Sequence, residues 1–264
     1  MPELPEVETM RRSLAANAEG RALKSFEMHD NKLDASSLEC AQNTALQRVE
    51  REGKCLVLRF ETCTVLIHPR MTGRIVRVPP ARKHARFTLH FADDIDIAFD
   101  DPRRLGTLSS APRDLVLRED NVFWPTPRDG TWLASRFQRA RLPVSLAGKK
   151  PLKVALLDGD RIAGVGNIGA SEACFYAGIA PSRTPSSLDA EAWSALYDGL
   201  VLWVKRTLAY ESSKSELELL HAQGATNPFA VYGRENEPCP RCKTPITRSV
   251  QAGRSTFSCT SCQT

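Results

Sequence analysis

Residues 85–100 read ARFTLHFADDIDIAFD, and the period of that stretch decides what fold the chain can adopt. Ala85, Phe87, Leu89 and Phe91 alternate with Arg86, Thr88 and His90, and Ile95, Ile97 and Phe99 give a second alternating run. Period 2 places one set of side chains on each face of a strand, so this stretch predicts two strands, each with a buried face. The same reading extends backwards to Ala45–Glu50, Lys54–Phe60, Val65–His68 and Arg74–Val78. Many short strands without intervening helices predict an antiparallel sandwich or barrel.

Ahead of the strands the period changes. The chain opens MPELPEVET, and Leu4, Val7, Met10 and Leu14 recur at helical spacing, which predicts one buried stripe packed on the sheets. Pro5 suits the first helical position, where no N–H is needed, and Glu6 and Glu8 are read as complements to the helix dipole in the first turn. Beyond residue 111 the strands stop, and Pro112, Pro125, Pro127 and Gly130 mark a connector. Further on, Leu188, Ala192, Leu196, Leu200, Val204 and Leu208 repeat helically, with Ser186 and Asp189 spaced for a capping box.

The expected class is therefore α+β. Residues 1–112 form a β-sandwich with its packed helix, 113–130 a linker or hinge, 131–228 a helical domain and 229–264 a small tail module. A chain of 264 residues with 42% hydrophobic content can build such cores. No stretch reaches the roughly 18–20 apolar residues of a membrane span, and the start has no apolar leader, so a cytoplasmic protein with no membrane partner is expected.

Net charge is only +5, but its distribution is uneven. No acidic residue falls between Thr62 and Ala92, whereas Arg70, Arg74, Arg77, Arg82, Lys83 and Arg86 do. That run predicts a phosphate-facing surface, because each neutralised phosphate releases counterions.

The tail carries Cys239-x2-Cys242, sixteen residues, then Cys259-x2-Cys262. Two such pairs can grip opposite sides of a tetrahedral ion, with the intervening residues folded as a hairpin. Disulfides or redox pairs are the competing reading; two pairs at zinc-ribbon spacing favour one structural zinc. With all four positions filled by cysteine, no place remains for a catalytic water. Cys40, Cys55, Cys63 and Cys174 lack such spacing and are expected to be small buried hydrophobes. Arg248 and Arg254 fall in the hairpin of the ribbon, where an arginine can meet a phosphate.

PELPEVET at 2–9, GVGNIGASE at 164–172, VYGR at 231–234 and the four-cysteine ribbon, in that order, resemble the Fpg/Nei family of base-excision repair enzymes. Within that family the likeness is to the formamidopyrimidine-DNA glycosylase branch, and it spans essentially the whole chain. The resemblance implies a bifunctional DNA glycosylase and abasic-site lyase acting on damaged double-stranded DNA, a monomer associated with the nucleoid. It implies a helix–two-turn–helix motif in the helical domain. Removal of Met1 would free the secondary amine of Pro2 to attack C1′ of the damaged nucleotide, form an iminium and lead to β,δ-elimination. An α-amino group with a pKa of about 7.7–8.0 is already partly neutral near pH 7, which suits it to that task.

By the same resemblance Glu3 shuttles protons, Glu6 supports the site and Lys54 reaches the phosphate beside the lesion. His68 is a phosphate contact. Met71, Arg103 and Leu105 fill the gap left by the extruded base. Asn167, Tyr232 and Arg254 hold phosphates, Asn167 at a helix N-terminus. Cys239, Cys242, Cys259 and Cys262 bind Zn2+. The chain departs from the branch in three places: Leu105 stands where Phe is usual, Gly169 replaces the Tyr after GNI, and residues 212–230 differ from the stretch that includes the loop capping 8-oxoguanine. The resemblance therefore points to abasic sites and to ring-opened or further-oxidised purines. A non-catalytic damaged-DNA-binding zinc-ribbon protein would need Lys54, Asn167 and Arg254 but neither Pro2 nor Glu3, and the presence of those two argues for the enzyme.

Overall fold

Leu4, Val7, Met10 and Leu14 are essentially inaccessible to solvent, as helical spacing requires of a packed stripe. They lie on α1 (Leu4–Ala18), whose N-cap is Glu3. Pro5 is thus the second helical residue, one later than expected, and still needs no N–H partner. The computed structural model describes residues 2–78, 83–116, 136–212 and 228–264. Met1, Arg82, most of the 113–130 connector and residues 213–227 lie outside them.

The chain divides into two compact units. The first is built on two four-stranded antiparallel sheets. One has the order β1 (Leu23–Met28), β6 (Ala85–Phe91), β7 (Ile95–Asp100), β5 (Arg74–Val78). The other runs β2 (Leu46–Glu52), β3 (Cys55–Phe60), β4 (Cys63–His68), β8 (Thr107–Pro112). Their inner faces and α1 share one core that includes Leu23, Val49, Leu58, Ile67, Leu89 and Ile97. Phe87 faces Phe99 across the β6–β7 ladder, with ring centroids 5.3 Å apart. Aromatic pairs of this kind pin register.

Two strands were not expected from the sequence, β1 and β8, and both are edge strands. Of the six residues of β1 only Leu23 is buried, and β8 is largely exposed and ends on Pro112, so neither shows strong alternation. Pro112 therefore closes a strand, paired with Cys63, and does not open the connector. Alternation also fails at Arg86, which the period assigns to an outer face but which is 2% exposed. Cys40 and Cys63 are bonded to each other, with Cα atoms 6.1 Å apart, whereas burial of separate thiols was expected. Cys55 and Cys174 are free, one half-buried and the other buried.

The first unit also has the short α2 (Ser36–Glu39). The second unit holds α3 (Arg136–Leu146), α4 (Leu152–Leu156), α5 (Asn167–Ala177), α6 (Ala190–Ser212 up to its last turn) and a hairpin, β9 (Thr247–Gln251) with β10 (Arg254–Ser258). Asp189 caps α6 alone, its carboxylate accepting the Ala192 N–H at 2.8 Å. Ser186 lies instead in a 3-10 turn at Pro185–Ser187, so the expected capping box does not form. Among the described residues no helix is long and apolar enough to cross a membrane.

Candidate active site and nucleic-acid interface

Pro2 and Glu3 are buried at the start of α1. Glu3 and Glu6 form a reciprocal capping box: the Glu3 N–H donates to Glu6 Oε2 at 2.9 Å, and the Glu3 carboxylate accepts the Glu6 N–H. Burial, and secondarily the negative charge of Glu3, push the Glu6 carboxyl up to about 7. A group with that pKa exchanges a proton readily at neutral pH.

Glu8 does not serve the helix dipole as expected. It is fully buried and takes Arg11 at 2.9 Å, Arg12 at 3.0 Å and the buried Arg51 at 3.2 Å. At the fifth helical position it is beyond the turn where the dipole is felt, and its three cations account for it better. Arg51 also donates to the Gly53 carbonyl at 2.9 Å. Gly53 and Lys54 form the two-residue turn between β2 and β3, and Gly53 has φ +55°, where glycine is unstrained. Through Arg51 the Lys54 turn is tied to the helix that Pro2 precedes. Nothing local in the sequence points to this tie, because Glu8 and Arg51 are 43 residues apart.

His68 ends β4, and its Nδ1 accepts the Arg70 N–H at 3.1 Å. Burial, then the charges of Arg70 and Lys54, hold the imidazole down to about 4. His68 is therefore neutral at pH 7 with its proton on Nε2, a hydrogen-bond donor without a charge. Met71 and Leu105 are 37% and 43% exposed, where a blind reading would bury both in a core. They stand on the β4–β5 and β7–β8 loops, and Arg103 is exposed on the second of these.

The basic run between Thr62 and Ala92 is not one surface. Arg70, Arg77 and Lys83 are exposed, but Arg74 pairs with Asp100 at 2.9 Å and Arg86 is buried between Asp30 and Asp101. Acidic residues distant in sequence consume these two charges.

In the second unit, Asn167 opens α5 and donates to the Ser255 carbonyl at 2.9 Å and to Tyr232 Oη at 3.3 Å. Ser255 follows Arg254 on β10, so the GVGN turn, the VYGR turn and the ribbon hairpin meet at one place. Two residues with no predicted role hold them. Glu172, fully buried, accepts the N–H groups of Ala230, Val231 and Tyr232 at 2.8, 2.9 and 3.0 Å. Lys153, also fully buried, donates to the Ser255 carbonyl and to Thr256 Oγ1 at 3.1 and 3.0 Å. Tyr232 packs edge-on against Phe257, with centroids 5.1 Å apart. Arg254 follows a tight Ala252–Gly253 turn and is exposed. Gly169 has no room for a side chain: a Cβ there would come within 2.5 Å of the Trp203 ring.

The four tail sulfurs lie within 4.8 Å of one another, with Cys239–Cys262 at 3.9 Å and Cys242–Cys259 at 3.4 Å. A tetrahedron with Zn–S of about 2.3 Å has edges of about 3.8 Å, so this donor set fits zinc closely. Phe175, Val231, Ile246 and Phe257 pack around Cys239 and Cys259.

Residues 1–108 match the formamidopyrimidine-DNA glycosylase N-terminal domain, 132–218 the formamidopyrimidine-DNA glycosylase H2TH domain, and 236–264 a zinc finger found in FPG and IleRS. The chain is 36% identical over 277 residues to a formamidopyrimidine-DNA glycosylase of Chloroflexus aurantiacus, covering all of this chain and 98% of that protein. It is 34% identical over 280 residues to the one of Herpetosiphon aurantiacus, covering the whole of both. Its fold is similar to the MutM (Fpg) protein of Thermus thermophilus, with TM-score 0.78, 33% identity, and 99% and 98% of the two chains covered. It is also similar to Lactococcus lactis Fpg in complex with DNA containing an abasic site, with TM-score 0.82, 26% identity and 99% of each chain covered.

Proposed function

The chain belongs to the formamidopyrimidine-DNA glycosylase family, and from that premise we propose that Pro2 is the nucleophile with which it excises oxidised or ring-opened purines and then nicks the strand. It is a DNA glycosylase of base-excision repair. One structural zinc belongs to its FPG-type finger. The ion cross-links the ribbon and leaves the chemistry to side chains.

The observation that carries the reading is the N-terminal capping box. A terminus used only as a terminus has no need to be buried beside two carboxyl groups, one with a pKa near 7. With Met1 removed, the neutral amine of Pro2 attacks C1′ of the damaged nucleotide and the base leaves with the electron pair of its glycosidic bond. The amine sheds its proton, the C1′–O4′ bond breaks with a proton to O4′, and the opened sugar is joined to the enzyme as an iminium. Glu6 is suited to take up the proton that the amine must shed, and Glu3 to relay protons through β,δ-elimination. Lys54 and the neutral Nε2–H of His68 bind phosphates beside the lesion. Met71, Arg103 and Leu105 take the place of the extruded base. Asn167, Tyr232 and Arg254 hold further phosphates. In this reading residues 1–112 carry the chemistry, 113–130 connect, 131–228 and 229–264 grip the duplex, and one copy of the chain suffices.

The test is borohydride trapping of tag-free protein, its free Pro2 verified by mass spectrometry, on a duplex with one abasic site. We expect a covalent adduct that is lost when Pro2 is replaced by Gly or when Met1 is retained. Tight binding without an adduct would sink the enzyme reading in favour of a damage-sensing DNA-binding protein.

A further inference from the structure

Met71 and the pair Arg103 and Leu105 come from two different loops, Pro69–Gly73 and Asp101–Gly106, yet they must act together as one wedge. Two loops that moved independently would each have to be ordered on entering the duplex, at a cost in conformational entropy. The structure shows what prevents this. Asp101 is fully buried between the loops. Its Oδ1 accepts a hydrogen bond from Thr72 Oγ1, on the Met71 loop. Its Oδ2 accepts the Gly106 N–H at 2.7 Å, at the far end of its own loop. Thr72 Oγ1 in turn accepts the Arg103 N–H at 3.3 Å, so a single hydroxyl joins the residue after Met71 to the backbone of Arg103.

Beneath the loops lies a buried charge network. Arg86 pairs with Asp101 at 3.3 Å and with Asp30, and donates to the Gly106 carbonyl at 3.2 Å. Arg104 closes the circuit by donating to Asp30 at 2.8 Å, and the Lys32 N–H adds a bond to Asp30 at 2.9 Å. Two cations and two carboxylates balance, so Arg86, Asp30 and Asp101 are buried without a net charge left over once the exposed Arg104 is counted. Both loops also rest on one ring: a Cβ at Gly73 or at Gly106 would come within 2.7 or 2.5 Å of Phe99. Arg70 and Arg104 adopt φ of +57° and +53°, conformations held by these surroundings.

We propose that Thr72 and Asp101 are positioning residues that couple the two loops, so that Met71, Arg103 and Leu105 enter the duplex as one preformed unit anchored on Arg86 and Asp30. This rests on the wedge role given to those three residues above. The coupling serves extrusion and not the covalent chemistry. Its loss therefore slows reaction at a base or abasic site held in a duplex and spares the same site in a single strand, where nothing has to be displaced.

The experiment compares single-turnover trapping at an abasic site in a duplex and in the same strand alone, with 2-aminopurine opposite the site reporting insertion. Thr72→Val keeps the shape of the side chain and removes the hydroxyl. It is preferred to Asp101→Asn, which leaves Arg86 buried and short of a carboxylate. We expect Thr72→Val to lower the duplex rate and the rate of the 2-aminopurine change by about tenfold, to leave the single-strand rate unchanged, and to be rescued by Thr72→Ser. Equal loss on both substrates, or no loss on the duplex, overturns the coupling. Met71→Ala and Leu105→Ala separate this from the reading beneath it: if neither is duplex-selective, the wedge role fails and the coupling with it. If both are and Thr72→Val is not, only the coupling fails.

Discussion

Glu6 illustrates how one residue can be legible and still hide its chemistry. Its spacing from Glu3 announces a helix start, but only burial beside Glu3 raises its carboxyl to about 7. Because the folded-state pKa lies above the ordinary 4.5, the stability tied to Glu6 is complete below pH 4.5 and is lost as pH rises through 7. Glu6→Gln should therefore gain on the parent protein as pH rises, by up to about 3 kcal/mol near pH 8.5, with the gap closing at pH 4.5. Urea unfolding at the two pH values measures it, and a gap independent of pH would refute the assignment. Glu8, two residues on, sits in the helix where its spacing puts it, but its partners Arg12 and Arg51 include one from a strand that packing alone brings to it. His68 shows the same limit: its position at a strand end is visible in LIHPR, while its neutral Nε2–H form depends first on its burial and then on Arg70 and Lys54 around it.

At the scale of elements, the four central strands and the edge strands β2 and β5 were readable, and the edge strands β1 and β8 were not. β6 and β7 carry dense apolar alternation and the edge strands β2 and β5 still bury Leu46, Val49, Ile75 and Val76, whereas β1 buries only Leu23 and β8 only Leu108. The helices follow their apolar period, and α6 starts where Asp189 can cap it. Between α5 and α6 the departure at Gly169 is answered by Trp203, whose ring occupies the space a side chain would take. Trp203 is 2% exposed and has little room to yield. Gly169→Tyr should thus destabilise the protein by about 1–3 kcal/mol, as overpacking does. Combining it with Trp203→Ala should cost less than the two single changes added together. Thermal or denaturant unfolding of the four proteins checks this, and strict additivity would mean that the two positions do not compete for space.

For the whole molecule, the zinc ribbon is the clearest case of a module whose sequence states its structure and whose consequence lies elsewhere. The four cysteines predict the ion, and their sulfurs stand at tetrahedral separations. Ser255, next to Arg254 on its hairpin, accepts a hydrogen bond from Asn167, which also donates to Tyr232, so the metal supports an arrangement built largely outside the ribbon. Stripping zinc with a chelator should lower affinity for an abasic duplex by at least about tenfold, while the sheet core, which shares no residue with the ribbon, keeps its unfolding transition. Anisotropy titration and thermal scans read the two effects. Unchanged affinity of zinc-free protein would remove the ribbon from the DNA site.

The amino-acid sequence by itself determined the α+β class, the first helix, the central strands, the metal ligands and, through four ordered motifs, the family. All of these depend on period, spacing or local order, which a linear string preserves. Only the tertiary structure decided that Arg86 is buried, that Cys40 meets Cys63, that Glu172 gathers the VYGR turn, and that Thr72 and Asp101 bridge two loops. Each of these joins residues separated by 23 positions or more, or depends on which face of a sheet is covered. Charge and polarity can be read from a residue's name, but the partner that sets its role is chosen by packing.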